Sequence, residues 1–237
     1  MPLPKVVTPT YNITLPCSGK KVKIRPFLVM EEKLLMMAMQ TEDNVQIGQA
    51  LSETVKNCTF GKIDPNKVGI ELGDIEYIFL QVRAKAKGEI SEFTLRCRTK
   101  ECEGKVGVKL DLSTVEVSKS DVPNTYQVPG TELVLTFRYP TFQESMELQS
   151  IDSMEQVLGL FAKFTESIIE GDMIHKLSDY TDDEQTAFIE SLDTQSFEHF
   201  QNFLKAVPRV TKDLSIKCVE CKETHVYELR GIESFFR

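Results

Sequence analysis

The stretch Phe93–Leu112, "FTLRCRTKECEGKVGVKLDL", alternates apolar and polar residues, reaches two cysteines four residues apart, and alternates again. Leu214–Leu229, "LSIKCVECKETHVYEL", repeats that plan about 120 residues later. Period-two alternation on both sides of a short turn is the pattern of a β-hairpin. Each stretch therefore predicts a hairpin carrying a cysteine pair at its tip. Cys218-x2-Cys221 has the spacing of a metal knuckle, and Cys97-x4-Cys102 is a looser version in which Gly104 helps the chain turn back. Neither pair fills a tetrahedral coordination sphere, whereas the two together do. The expectation is a structural zinc ion held by Cys97, Cys102, Cys218 and Cys221, joining the beginning and end of the chain in a zinc-ribbon-like site. Two rivals are weaker. Cys218 and Cys221 do not open a helix after a strand, as a thioredoxin-like pair would. His225, three residues beyond Cys221, is within ligand spacing and can replace one cysteine, but on a strand it reads more simply as a surface histidine.

The rest of the chain supports a duplication. Tyr11–Gln40 reads as a hairpin turning at Ser18-Gly19, an arginine, a proline and a helix starting near Leu28. Tyr126–Gln149 reads the same way, turning at Pro129-Gly130, and Arg138 stands 113 residues after Arg25. Two later helices correspond. Gly73–Gly88 places Ile75, Ile78, Phe79 and Val82 on one face, with Gly73-Asp74 as its start. Thr194–Arg209 does the same with Phe197, Phe200, Leu204 and Val207. Cys97 and Cys218 are offset by 121. Further helices are expected over "NVQIGQALSETVKN", over "SMEQVLGLFAKFTESIIEG", and over "TDDEQTAFIESL" with Thr181 as its N-cap. The fold class is α+β: two pseudo-symmetric halves, 1–120 and 121–237, each a hairpin, helices and a cysteine-tipped hairpin. Residues 121–124, "DVPN", are the seam between them.

Composition narrows the function. The chain has 237 residues and a formal net charge of −8. Residues 1–120 hold 18 Lys+Arg against 15 Asp+Glu, and residues 121–237 hold 10 against 21. An acidic second half suits a protein partner better than a phosphate backbone. A nucleic-acid-binding zinc ribbon is the alternative, with Lys20, Lys21, Lys23, Arg25, Arg83, Lys85 and Lys87 as its basic residues. No apolar run approaches the ~20 residues of a membrane helix, and the N-terminal residues lack the apolar core of a secretory signal, so a cytosolic protein is expected. In a reducing compartment, close cysteine pairs point to metal rather than disulfides. There is no Gly-rich phosphate loop, nucleophile elbow or HExxH. His175 and His199 have no partner at a local spacing, Cys17 and Cys58 read as small buried residues, and Phe161, Phe164, Phe197, Phe200 and Phe203 read as core. No enzyme is expected.

"LPCSGKKVKIRPFLVMEEKLLMMAMQ" (residues 15–40), "TVKNC" (54–58) and "DIEYIFLQVRAKAKGE" (74–89) together resemble the T4-type phage baseplate hub assembly proteins, over Tyr11 to about Cys102. The resemblance implies a late protein of a contractile-tailed phage, made in the host bacterial cytoplasm. It would act as an assembly factor, a chaperone or a minor component of the baseplate hub, with other hub and tail proteins as partners. It implies no small-molecule substrate.

Overall fold

The structure is a computed structural model and describes residues 6–41, 43–148 and 153–235. It is a mixed α+β chain of small sheets and helices, and its elements pack into two compact units. The first comprises residues 1–65, 70–118 and 208–237, and the second residues 66–69 and 119–207. This division by packing differs from the division by sequence at 120: a break falls beside the expected seam, but the last thirty residues return to the first unit.

In the first unit, β1 (Tyr11–Thr14) and β2 (Lys21–Ile24) form the expected hairpin, with Gly19 at φ 67° in its turn. α1 (Val29–Gln40), α2 (Asn44–Cys58) and α3 (Leu72–Lys87) follow. The face predicted for α3 is buried at Ile75, Ile78, Phe79 and Val82. The helix begins one residue before Gly73, and Asp74 is not its N-cap. Its carboxylate instead accepts the backbone N–H groups of Cys17 (2.8 Å) and Ser18 (3.0 Å) in the β1–β2 turn. β3 (Ile90–Arg96) pairs antiparallel with β4 (Lys105–Asp111), and β10 (Val210–Lys217) pairs antiparallel with β11 (Thr224–Arg230) and with β5 (Glu116–Val117). The alternation seen in the sequence becomes burial: Phe93 and Leu95 point inward from β3, and Tyr227 and Leu229 from β11. They share a core with Leu80 and Ala84 of α3 and with Leu110, Leu112 and Val210.

One carboxylate organises this core. Glu76, on α3, is fully buried. It accepts the Nε–H of Arg209 at 2.9 Å, a second N–H of that guanidinium, and the backbone N–H groups of Val210 (2.9 Å) and Ile232 (3.3 Å). A buried ion survives only when paired and hydrogen-bonded. Every one of these donors comes from the C-terminal segment.

In the second unit, β6 (Thr125–Gln127), β7 (Leu133–Phe137), β8 (Thr165–Glu170) and β9 (Met173–Lys176) form one antiparallel sheet in that order. α4 (Phe142–Glu147), α5 (Met154–Phe164), α6 (Asp182–Glu190) and α7 (Thr194–Lys205) complete it. Its core holds Leu135, Phe137, Phe161, Phe164, Ile168, Phe200 and Phe203, as the phenylalanine spacing predicted. α6 carries the expected Thr181 cap, hydrogen-bonded reciprocally with Glu184. The single helix expected over 153–171 ends at Phe164. The β-branched run Thr165–Ile169 enters the sheet instead, because β7 offers it a ladder and Gly171, at φ 56°, closes a tight turn into β9. α7 also ends earlier than expected, at Lys205, ahead of Pro208.

The offset of 113 residues is visible in atomic detail. After β2, the Arg25 backbone N–H donates to the Cys58 carbonyl at the end of α2, and its guanidinium donates to the Pro26 carbonyl and to both oxygens of Glu31. Glu31 also accepts the Leu28 N–H at the start of α1. After β7, Arg138 does the same with the Phe164 carbonyl at the end of α5, the Tyr139 carbonyl, both oxygens of Glu144, and through Glu144 the Thr141 N–H. Thr59 and Thr165, the next residues after those carbonyls, each donate a hydroxyl to the carbonyl four residues back.

Two expected outcomes follow from these carboxylates. Glu76→Ala leaves the Arg209 charge unpaired in the core and should cost about 3–5 kcal/mol in chemical denaturation. Burial alone would raise the Glu144 pKa. The Arg138 hydrogen bonds, the Thr141 N–H and the charges of Arg138 and Lys163 outweigh it and hold the group at about 2, against an ordinary 4.5. A depressed folded-state pKa stabilises fully above the unfolded value and is lost as pH falls toward the folded one. The wild type should therefore lose more unfolding free energy between about pH 6 and about pH 3 than Glu144→Gln does.

Candidate metal centre

The hairpin tips are built alike. At the first, the Cys97 N–H donates to the Gly104 carbonyl (2.8 Å). At the second, the Cys218 N–H donates to the Glu223 carbonyl (2.9 Å). Glu101 and Lys222 each take a left-handed conformation, at φ 65° and 64°, which tightens the two turns. The turns aim all four sulfurs at one point. Cys97 Sγ lies 3.6 Å from Cys221 Sγ, Cys102 Sγ lies 3.8 Å from Cys218 Sγ, and all four lie within 4.8 Å of one another. A tetrahedral ion with metal–sulfur bonds of about 2.3 Å sets its sulfurs about 3.8 Å apart. The cluster therefore has the dimensions of a four-thiolate site that can hold one metal ion. The β3–β4 and β10–β11 hairpins do not share a ladder. Core side chains and these sulfurs are what they have in common.

Gly104 shows how closely the backbone approaches. A Cβ there would stand 2.6 Å from Cys218 Sγ and 3.3 Å from Cys102 Sγ. No larger residue leaves the sulfurs where they are. The thiols are electrostatically unequal. The Thr99 hydroxyl and backbone N–H pull the Cys97 thiol down to about 7. Cys221 is lowered as well, by the Thr99 hydroxyl and the Glu223 backbone N–H. The Gly104 N–H favours the Cys102 thiolate, but desolvation and hydrogen bonds with three neighbouring thiols outweigh it and push that thiol up to about 12. Four sulfurs at this spacing cannot all ionise without a cation among them, and a divalent ion supplies the missing positive charge.

All four cysteines expected as ligands are brought together, and His225 displaces none of them. Its Nε2 stands beside the cluster, 3.4 Å from Cys97 Sγ and 3.0 Å from the Thr99 hydroxyl. Thr99, which also donates to Glu223 at 2.6 Å, was not singled out by its sequence position. Its lone signal is that it lies within the knuckle. Cys58 is buried as expected. Cys17 is exposed as a residue, although its sulfur faces α3: a Cβ on Gly73 would meet it at 3.2 Å, and burial followed by the Asp74 charge pushes its thiol up to about 12.

The other histidines are not isolated. His175 Nδ1 is 2.7 Å from the Tyr180 hydroxyl and its Nε2 is 3.7 Å from Glu170, a pairing supplied by the β8–β9 hairpin rather than by local spacing. His199 stacks on Tyr126 at 4.5 Å and contacts the Pro123 carbonyl, a packing role. Among the described residues, no helix is long and apolar enough to cross a membrane. A family model described as T4 bacteriophage base plate protein matches residues 8–237, nearly the whole chain. No curated protein and no solved structure matches it.

Gly104→Ala should push Cys218 off the cluster and weaken metal binding by about 10–100-fold, the range seen when groups that orient ligands are changed. A competition titration against a chromogenic chelator measures it. Gly107→Ala, on the open side of the same strand, where an added Cβ meets nothing within 4 Å, should bind as the wild type does.

Proposed function

Because the chain belongs to the T4 bacteriophage base plate protein family, we propose that it is a zinc-clamped adaptor of the baseplate hub, acting as an assembly factor or minor hub component rather than as an enzyme. The observation that carries this reading is the convergence of four cysteine sulfurs from residues 97–102 and 218–221. Zinc is the ion that a closed tetrahedral thiolate set suits best, and such sites are structural because no coordination position is left for substrate. The ion would pin the C-terminal hairpin to the β3–β4 hairpin within the first unit. The repeated arginine–glutamate clamp supports descent of the two halves from one duplicated hairpin–helix unit.

The second unit supplies the surface for a partner. It holds Lys67, Lys119, Arg138, Lys163, Lys176 and Lys205 against 16 Asp or Glu, so the chain's acidity is concentrated there. In our reading it docks a basic face of another baseplate or tail protein, in the host cytoplasm during assembly and then in the virion tail baseplate. The nucleic-acid alternative has less support. Arg25 is committed to Glu31, Lys85 to Glu89 and Lys87 to Glu32, and Arg83 is half-buried.

Two measurements test the proposal. Metal analysis of the purified chain should find one zinc per molecule, and its removal by chelator should cost at least about 3–5 kcal/mol, seen as a fall of about 6–20 °C in Tm. Co-expression with the hub proteins of the same phage should yield a complex on size exclusion that weakens as salt rises. A metal-loaded chain that elutes alone beside every hub protein would overturn the adaptor reading. Salt-sensitive binding to DNA or RNA would favour the alternative.

A further inference from the structure

The cluster contains one donor more than a tetrahedral ion can use. His225 is placed on β11 by the ladder, opposite Ile216, and its side chain is only 19% exposed. Its Nε2 is 3.4 Å from Cys97 Sγ, the distance of a near neighbour rather than a bystander. With Cys221 and Glu223 it also forms a second group whose ligand atoms lie within 4.8 Å of one another. Cys221 belongs to both groups, so an ion held at Cys221 has the imidazole within a small side-chain adjustment. Thiolate and imidazole are both good zinc donors, and three cysteines with one histidine is an established tetrahedral set.

We infer that His225 is a reserve ligand: when Cys97 cannot bind, the imidazole takes its place and the ion stays on Cys102, Cys218 and Cys221. The inference rests on the four-cysteine reading above. Two features of the geometry single out Cys97 as the ligand replaced. It is the sulfur closest to the imidazole, and it shares the Thr99 hydroxyl with it, at 3.4 Å from the sulfur and 3.0 Å from Nε2. While Cys97 is bound, the same nitrogen can donate its N–H to the thiolate. That is an orienting role, and it predicts a different outcome when Cys97 is removed.

The test loads the full chain with Co²⁺, whose absorption reports the number of thiolate ligands, and compares four proteins. Wild type and His225→Ala should both show four thiolates. Cys97→Ser should show three thiolates and a bound imidazole, with affinity lowered by about 10–100-fold. Cys97→Ser/His225→Ala should lose at least a further ~10-fold. Equal affinities for Cys97→Ser and the double variant would overturn the inference and leave His225 an orienting residue only. A wild type that binds no metal would overturn the four-cysteine reading together with this one. Graded alkylation of the zinc-loaded wild type and His225→Ala needs no ligand substitution, and so decides the matter if Cys97→Ser does not fold. The wild type should keep its zinc after the first thiol is blocked, whereas His225→Ala should release zinc with the first. Identical release curves would overturn the inference.

Discussion

A carboxylate with no access to water must find its donors inside the protein, and Glu76 finds all of the donors described above on the segment that ends the chain. That requirement shapes the first unit. α3 cannot bury its apolar face without also burying Glu76, and Glu76 cannot be buried until Arg209, Val210 and Ile232 have arrived. Residues 208–237 are therefore drawn back across some 130 residues of intervening chain. Once Val210 is placed, β10 and β11 follow by register, and the Cys218 tip lands beside the Cys97 tip. The carboxylate and the sulfurs act in series: the first positions the hairpin roots, and the second fixes the tips.

The two Arg–Glu clamps show what a repeated sequence unit retains and what it surrenders. Arg25 with Glu31 and Arg138 with Glu144 make the same contacts, down to the carbonyl each arginine backbone N–H meets. The clamp ties a strand end, a helix start and the end of a later helix through one guanidinium, which presents its donors in a planar fork matched to a carboxylate. Beyond the clamp the halves diverge. Thr59 leads to a loop and α3, whereas Thr165 starts a strand. Glu198, at the position analogous to Glu76 relative to the cysteines, is not a buried anchor, and α7 packs its phenylalanines into the second unit's own core.

This economy suits a component of a large assembly. Rigidity in the first unit comes from a buried ion pair and from sulfurs able to hold an ion. Both are directional, and they define a single arrangement where apolar packing alone tolerates several. The second unit presents charge. Such a division lets a protein carry a fixed shape to a partner while its acidic surface guides the encounter.

Much of this was legible in the residues themselves. Period-two alternation marked both cysteine hairpins, a 3.6-residue period marked α3, and Gly19 and Gly130 marked the turns, because each signal is local and set by backbone geometry. The four cysteines were legible because knuckle spacing is a covalent constraint. The strand Thr165–Glu170 was not: its residues suit either a helix or a strand, and only the neighbouring edge of β7 decided between them. Asp74 and Glu76 were read as ordinary helix residues because nothing local distinguishes a capping carboxylate from a buried one. The sequence by itself determined which elements form and which sulfurs can share an ion. Tertiary structure decided that the C-terminal hairpin packs with the first unit, that Thr99 and His225 stand beside the cluster, and that Glu76 holds Arg209. Those outcomes depend on where distant segments meet, and burial and the need to satisfy every buried charge set that meeting point.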